Sequence, residues 1–187
     1  LNLAAFYTRV NNAQVPTLIL PEAITIIRNA GKLTSKGAEM ELSATLLKGL
    51  KADYNFGYTD AEYKTLLIAS NGESVNMNGH KQVFSPDMTS MLALQYDFSL
   101  AKRNDINFFT RAEWKYLGDQ YFDLANQIKQ SGYSIINARA GVSLKNYSLS
   151  VWSNNLGDKH YLDYAYDFGA VHLGNPNTFG VTLRGQF

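Results

Sequence analysis

The segment from Leu50 to Thr59 alternates strictly between apolar and polar residues, and this pattern constrains the fold more than any other feature. Its even positions carry Leu, Ala, Tyr, Phe and Tyr, and its odd positions carry Lys, Asp, Asn, Gly and Thr. Successive side chains of a β-strand point to opposite faces, so a period of two predicts a strand with one apolar face. The same alternation predicts eight strands, whose apolar sets begin at Leu1, Ala38, Leu50, Leu92, Phe108, Ile136, Tyr147 and Phe179.

The connections between these predicted strands alternate in length. Tight turns are expected at residues 46–50, 100–105 and 145–147. Long, irregular links are expected at residues 11–31, 63–88, 122–132 and 163–177. Short links therefore fall at one end of the strands and long links at the other, as in a bacterial outer-membrane barrel.

Composition narrows the class of protein further. The 187 residues include 17 basic and 16 acidic side chains, so the formal net charge is +1 and nothing predicts binding to nucleic acid. No apolar run approaches the roughly 18 residues that a membrane-spanning helix needs, whereas membrane strands need only about 9 to 11. The sequence thus excludes helical insertion and leaves a strand-built membrane protein open.

A soluble lipocalin-like barrel or a β-sandwich is the alternative, because such folds also alternate but bury their apolar face inside. The polar positions here mix Gly, Ser, Thr and Asn with charges of both signs, whereas the outside of a soluble barrel is normally rich in Lys and Glu. Aromatic residues also gather toward predicted strand ends, as interfacial girdles require. These residues are Tyr58, Trp114, Tyr116, Tyr147 and Phe187. We therefore favour a transmembrane β-barrel.

Four stretches of the chain resemble the C-terminal part of the TonB-dependent outer-membrane receptors. They are "NAGKLTSKGAEMEL" (29–42), "GLKADYNFGYTDAEY" (49–63), "WSNNLGDKHY" (152–161) and "GNPNTFGVTLRGQF" (174–187). The chain departs from the family pattern at Gly157, where Phe is usual, at Asn177, where Arg is usual, and at Gly185, where an aromatic residue is customary. The four stretches occur in the family's order and cover nearly the whole chain.

The resemblance implies an all-β fold: an antiparallel, up-and-down transmembrane barrel segment of about eight strands, the last third of a barrel of about 22. Residues 1–187 would be the C-terminal part of the barrel domain, with the plug domain and the earlier strands absent. The implied partners are outer-membrane lipid, the protein's own plug and remaining strands, and the TonB complex through the absent N-terminal part. A complete eight-stranded barrel with a structural or adhesive role is the alternative.

In such a barrel, charged side chains on the strands are expected to face the lumen, since a charge on the lipid face costs roughly 2 to 4 kcal/mol at mid-bilayer. There they would contact the plug, water or one another, and we favour this structural role over ligand binding. Phe109 and Trp152 also fall at lumen positions, where we expect them to pack on the plug. The expected lumen-facing and plug-facing residues are Glu39, Glu41, Arg111, Glu113, Arg139, Trp152 and Arg184.

Ligand contacts are expected in the long loops, above all in "HYLDYAYDFGAVH" (160–172). Clustered aromatic rings there could stack on a catecholate, a haem or a sugar, although some of them could equally belong to a girdle. Haem is the weaker alternative, because the signature box that accompanies the family's axial histidine is missing. The candidate ligand-binding residues are Tyr164, Tyr166, Phe168, His172 and His80.

The expected function is energy-coupled uptake of a scarce nutrient, most simply a ferric siderophore, and no resident cofactor or metal is predicted. An outer-membrane protease with His160 near Asp163 and Asp167 is a weak alternative, because such pairs arise easily by chance. The last strand resembles the signal that the outer-membrane assembly machinery recognises. Its apolar residues are Phe179, Val181, Leu183 and Phe187.

Overall fold

The computed structural model describes residues 1–19, 24–29, 31–70, 73–100, 103–166 and 168–186. In these ranges no helix is long and apolar enough to cross a membrane. The strands in chain order are β1 (Asn2–Asn11), β2 (Gln14–Ile19), β3 (Ile24–Asn29), β4 (Lys32–Leu47), β5 (Leu50–Thr65), β6 (Leu67–Ser70), β7 (Glu73–Asn76), β8 (Met88–Leu100), β9 (Arg103–Leu117), β10 (Gln120–Tyr121), β11 (Lys129–Gln130), β12 (Tyr133–Leu144), β13 (Tyr147–Asn154), β14 (Leu162–Ala165), β15 (Val171–Leu173) and β16 (Thr178–Gly185).

The eight longest strands form one antiparallel sheet in the order β1-β4-β5-β8-β9-β12-β13-β16. Each pairs with the next long strand along the chain, which makes the sheet an up-and-down meander. The predicted fold class and the eight alternating segments are confirmed. Within the described ranges no pairing joins β1 to β16, so the sheet stays open and does not close into an eight-stranded barrel.

The eight shorter strands form four separate hairpins, one in each long connection of the sheet. The pairs are β2 with β3, β6 with β7, β10 with β11, and β14 with β15. We call the end of the sheet that carries these hairpins the loop end. The opposite end, where β4 meets β5 and β12 meets β13 through two-residue turns, is the turn end. The predicted alternation of short and long links is therefore confirmed.

The two faces of the sheet differ in chemistry because the strand registers keep like residues together. Arg111 lies opposite Gln95 on one side and Arg139 on the other, whereas Ala112 lies opposite Leu94 and Ala138. We call the first surface the polar face and the second the apolar face. The large residues that the apolar face leaves exposed include Leu42, Leu92, Leu94, Tyr96, Phe98, Trp114, Ile136, Leu149, Val151, Phe179, Val181 and Leu183.

This exposure is too extensive for a surface in water. Phe179 is 83% exposed and Leu183 is 76% exposed, and neighbouring strands continue the same apolar surface across the sheet. Monomeric soluble proteins rarely expose contiguous apolar patches larger than a few hundred Å². The apolar face is therefore suited to contact with lipid.

Aromatic rings gather toward both ends of the apolar face. Near the turn end, Phe98 stacks on Tyr96 and on Phe108, with ring centroids 5.5 and 5.0 Å apart. Toward the loop end, Trp114 stacks on Tyr116 at 6.2 Å. The nine residues from Phe108 to Tyr116 span about 26 Å along an extended strand, close to the ~25 Å height of a lipid-facing band.

Three large rings on the polar face are accommodated by glycines on the neighbouring strand. Each ring lies opposite a glycine in the strand register, and a Cβ atom on that glycine would come within 3 Å of the ring. The pairs are Phe6 with Gly37, Phe109 with Gly141, and Trp152 with Gly180. Phe109 and Trp152 thus lie on the expected face, where each packs on the backbone of its own sheet.

At the loop end, a small apolar core joins the sheet to two of the long connections. Leu33 and Tyr63 face each other across β4 and β5, and Leu66 beside them is fully buried. Ala13 and Val15 from the first long connection complete the cluster. The polar face therefore becomes apolar at its loop end, which fixes the base of the hairpins on the sheet.

Candidate ligand-binding site

Five aromatic rings from three connections form a continuous series at the loop end, which we call the aromatic ladder. It consists of Phe122, Phe84, Tyr164, Tyr166 and Phe168. Phe84 stacks on Tyr164 with centroids 5.0 Å apart and an interplanar angle of 19°. Tyr164 contacts Tyr166 at 4.5 Å, and Tyr166 stacks on Phe168 at 5.0 Å. The structure therefore brings together the three predicted rings of residues 160–172.

The ladder is anchored at one end and open at the other. Phe122 is only 6% exposed and contacts Phe84 at 5.6 Å. Exposure is much greater for Tyr166 and Phe168, at 44% and 55%. Ring faces at the open end are free to accept a flat or apolar ligand group, and each aromatic contact of this kind is worth about 0.5 to 1.5 kcal/mol beyond burial of area.

Backbone contacts of the loops hold the anchored end in place. The Phe84 amide donates to the Tyr121 carbonyl oxygen at 2.9 Å, and the Phe122 amide donates to the Ile128 carbonyl oxygen at 2.9 Å. The Asp123 carboxylate accepts from the Ile128 amide at 2.7 Å and closes the same loop. The rings of Phe84 and Phe122 are thus positioned by hydrogen bonds that do not depend on stacking.

An ion pair closes the β10–β11 hairpin that carries Phe122. The Asp119 carboxylate binds the Lys129 ammonium and also accepts from the Gly132 amide at 2.8 Å. The Lys129 ammonium, with help from the Gly132 N–H, lowers the pKa of Asp119 below its usual range. The same contact raises the pKa of Lys129. Both groups therefore keep their charges near neutral pH.

The two predicted histidines lie in different environments. His172 is on β15 opposite Tyr164, and its Nδ1 atom is 3.7 Å from a carboxylate oxygen of Asp163. It belongs to the same hairpin as Tyr164, Tyr166 and Phe168 of the ladder. His80 is apart from the ladder, because its Nδ1 atom contacts the Leu124 carbonyl oxygen at 2.8 Å and links two loops.

The sequence missed Phe84 and Phe122 as members of the site. Neither lies in the aromatic-rich segment 160–172, and about 40 residues separate each ring from the next along the chain. Loops carry no periodic signal from which such contacts could be inferred. A weak signal was present at Phe84, which precedes Ser-Pro in the long connection between β5 and β8.

A second concave site lies on the polar face at the centre of the strands. This hollow, of about 490 Å³, is lined by five of the seven residues predicted to face the lumen. They are Arg111, Glu113, Arg139, Trp152 and Arg184. Glu39 and Glu41 lie on the same face but on β4, and they do not line the hollow.

The charged groups of the hollow are held mostly by neighbours on the sheet. The Arg111 Nε atom donates to Glu113 at 2.8 Å, and the Arg139 guanidinium lies 5.3 Å from the centre of the Phe109 ring. The Trp152 Nε1 atom donates to the Thr182 hydroxyl at 3.2 Å. The hollow is therefore a preorganised polar surface that a water-filled lumen or another protein segment can contact.

The described part of the chain offers little support for a metal site or for a protease-like group of His and Asp side chains. It contains no cluster of three or more His, Asp or Glu side chains that could hold a metal ion. His160 lies 3.8 Å from Asp158, and both side chains are more than half exposed. Asp163 instead contacts His172, while Asp167 is outside the described residues.

The residues of the expected assembly signal lie on β16, at the edge of the sheet. Phe179, Val181 and Leu183 are exposed on the apolar face, opposite Ser153, Val151 and Leu149 of β13. Phe187 is outside the described residues.

Comparison with known proteins shows that the chain is similar to TonB-dependent receptors. The family model for the TonB-dependent receptor-like β-barrel matches residues 1–156. The pesticin receptor of Yersinia pestis is 25% identical over 197 residues, covering 100% of this chain and 27% of the relative. The ferrichrome outer membrane transporter/phage receptor of Escherichia coli strain K12 is 26% identical over 187 residues, covering 96% of this chain and 23% of the relative.

Among solved structures, the ferric yersiniabactin uptake receptor FyuA from Yersinia pestis superposes with a TM-score of 0.81. At 23% identity it covers 99% of this chain and 27% of that chain, and it supports the fold. The chain spans about a quarter of the length of the relatives that it matches.

Proposed function

Because this chain belongs to the TonB-dependent receptor family, as the match over residues 1–156 shows, we propose that it builds part of the wall and outer vestibule of a ferric-siderophore importer. Proteins of the family are β-barrels of the bacterial outer membrane, and they are receptors and transporters, not enzymes. The chain is accordingly an outer-membrane β-barrel protein. Siderophore as substrate is supported by the relatives named for ferrichrome and ferric yersiniabactin.

The observation that carries the proposal is the aromatic ladder at the loop end, which is the extracellular end in barrels of this kind. Tyr164, Tyr166 and Phe168 offer stacked rings to a ligand that arrives from outside. His172 lies beside them, whereas His80 supports the loops through Leu124. Rings that are already stacked lose little conformational freedom when a ligand binds, which favours capture.

The rest of the receptor would supply what this segment lacks. We assign residues 1–187 to the C-terminal part of the barrel domain, with the plug and the remaining strands in the rest of the protein. The polar face, with Arg111, Glu113, Arg139 and Arg184, would then contact the plug. Import would be driven by the TonB complex acting on that plug. The assembly machinery would read β16 together with Phe187.

Uptake of iron-55 chelates by cells tests this proposal. A strain without the receptor gene, complemented with the full-length receptor, should take up at least one ferric siderophore in an energy-dependent manner. The Tyr164→Ala/Tyr166→Ala variant should raise the half-saturating concentration about tenfold, since two ring contacts are lost. Leu173→Ala, an exposed position on the same hairpin outside the ladder, is the matched control. Uptake that is unchanged by loss of the gene for every chelate tried would refute the proposal.

A further inference from the structure

The three long connections that build the aromatic ladder contain more acidic than basic side chains. They are residues 66–87, 118–132 and 155–177, and together they hold seven acids, three lysines and no arginine. Their formal charge is therefore −4 with His neutral, although the chain as a whole is nearly balanced at +1. The acids are Glu73, Asp87, Asp119, Asp123, Asp158, Asp163 and Asp167, and the lysines are Lys81, Lys129 and Lys159.

Two of the three lysines are already bound to carboxylates. The Lys81 ammonium binds Asp60, a residue of β5, and the Lys129 ammonium binds Asp119. The positive charge of each lysine is balanced where it lies. These two groups therefore offer little attraction to an anionic ligand that approaches the ladder.

A carboxylate also lies beside the rings. Asp163 precedes Tyr164 on β14, and its carboxylate is 3.7 Å from the Nδ1 atom of His172, the residue opposite Tyr164. The Asp163 side chain is 62% exposed. Within the described residues, no lysine or arginine forms an ion pair with it. Its negative charge is therefore directed to the solvent in which a ligand arrives.

The rings at the open end of the ladder favour the same sign of ligand charge. Among the described rings Phe168 contacts Tyr166 alone, and it is 55% exposed, so its outer face is open. The face of an aromatic ring is its negative side, and a cation within about 6 Å of the ring centre is attracted to it. The ring faces and the acidic loops thus both favour a positively charged ligand group.

We propose that the aromatic ladder selects ferric chelates that carry a protonated amine, with the ammonium group on the open ring faces of Tyr166 and Phe168. The inference rests on the proposed uptake of a ferric chelate and adds the charge class of that ligand. Ferric trihydroxamates are neutral at the metal and become cationic through a pendant amine. Ferric tris-catecholates are strongly anionic, and the acidic loops would repel them.

Three chelates of different charge test the inference with the full-length receptor in detergent micelles. They are a linear ferric trihydroxamate that ends in a primary amine, its N-acetylated form, which has lost the positive charge, and a ferric tris-catecholate. Quenching of intrinsic fluorescence gives the affinity for each. The amine form should bind about fivefold more tightly than the acetylated form at low salt, as one cation–π contact provides. The tris-catecholate should bind most weakly.

Variants of the hairpin show where the ammonium group binds. Phe168→Leu keeps an apolar side chain but removes the ring face, so the ratio of the affinities for the amine and acetylated forms should fall to about one. Asp163→Asn removes a charge two rings away and should lower this ratio about twofold at low salt and not at high salt. Asp105→Asn, the same change in charge at an exposed position of the turn end, is the matched control and should leave the ratio unchanged.

Equal affinity for the amine and acetylated forms, or tighter binding of the tris-catecholate, would overturn the inference and leave the proposed uptake of iron chelates intact. A ratio that is unchanged in Phe168→Leu would also overturn it, because the ammonium group would then bind elsewhere. Failure of all three chelates to bind would overturn it too, and uptake by the strain without the receptor gene then shows whether the proposed function fails with it.

Discussion

Phe84 has an unusual backbone conformation at the point where its ring joins two loops. Its φ angle is 56°, in the left-handed region that bulky residues rarely adopt. The ring contacts both Phe122 and Tyr164, and the amide is fixed by the Tyr121 carbonyl oxygen. Strained residues of this kind cost about 1 to 3 kcal/mol and concentrate at functional sites. The strain at Phe84 therefore supports a role for the aromatic ladder in ligand binding.

Replacement of Phe84 separates binding from stability. In Phe84→Gly, relief of the strained conformation should offset the lost stacking, so we expect a melting temperature close to that of the wild type. Affinity for the ferric chelate should fall about three- to tenfold, because Tyr164 loses the ring on which it stacks. Titration by intrinsic fluorescence measures the affinity, and Phe84→Tyr, which keeps the ring, serves as the control. Wild-type affinity in Phe84→Gly would contradict a role of this ring in binding.

Asn155 explains why the stretch "NNLGDK" (154–159) forms a compact turn at the loop end. Its side chain is buried, and its Nδ2 atom donates to the Lys159 and Asn175 carbonyl oxygens at 2.9 and 3.0 Å. Its Oδ1 atom accepts from the Lys159 amide at 2.8 Å. The φ angle of 49° is one that asparagine tolerates better than most residues. The family-like motif therefore has a structural role in joining β13 to β16.

Loss of the Asn155 side chain should destabilise this joint. Asn155→Ala leaves two carbonyl groups and one amide without partners, which should lower the free energy of unfolding by about 2 to 3 kcal/mol. Urea unfolding of the receptor in detergent micelles, followed by heat-modified gel mobility, measures the change. Asn175→Ala is the control, because the hydrogen bond uses only the Asn175 backbone carbonyl. Equal stability of the two variants would contradict the assigned role.

At the scale of the element, the pairing of Trp152 with Gly180 fixes the contact between β13 and β16. A Cβ atom on Gly180 would lie 2.4 Å from the Trp152 ring, whereas nothing lies within 4 Å of the corresponding position at Gly157. Trp152 therefore uses the space that glycine leaves open on the neighbouring strand. The same geometry accounts for Phe109 over Gly141.

Adding a methyl group at Gly180 should force the indole ring off its site. We expect Gly180→Ala to lower stability by about 1 to 3 kcal/mol, as overpacking of a filled site does. The temperature at which the barrel loses its compact gel mobility reports the change. Gly157→Ala should be neutral in the same assay. A Gly180→Ala variant as stable as the wild type would show that the ring moves without cost.

The strands could be predicted from the sequence because their signal is local. Alternation such as that of residues 50–59 shows directly which side chains share a face of the sheet. The strand register then places Arg111 beside Arg139 on the polar face. The loop hairpins could not be predicted, since their pairing depends on turns without periodicity. The aromatic ladder was found only in part, because Phe84 and Phe122 meet Tyr164 through tertiary contacts alone.

At the scale of the whole molecule, the exposed apolar residues and the unpaired backbone of the two edge strands indicate that the sheet is part of a larger barrel wall. The edge strand β16 leaves Phe179, Val181 and Leu183 more than two-thirds exposed, and β1 leaves Leu3 70% exposed. Unpaired edges of this kind do not persist in lipid, where every backbone group needs a partner. The expectation that further strands complete the wall thus has a physical basis, and their number remains a prediction.

We expect the apolar face to contact lipid and the loop end to face the outside of the cell. This segment has no Cys, so single cysteines can be placed at will in a full-length receptor whose other cysteines are replaced by serine. Informative positions are Gly157 at the loop end, Lys48 at the turn end and Val181 on the apolar face.

Labelling of intact cells with a membrane-impermeant maleimide is the direct measurement. Gly157→Cys should react at once, Lys48→Cys only after the outer membrane is permeabilised, and Val181→Cys only after denaturation in detergent. Reaction of Lys48→Cys in intact cells would contradict the expected orientation, and reaction of Val181→Cys as fast as Gly157→Cys would contradict contact of the apolar face with lipid.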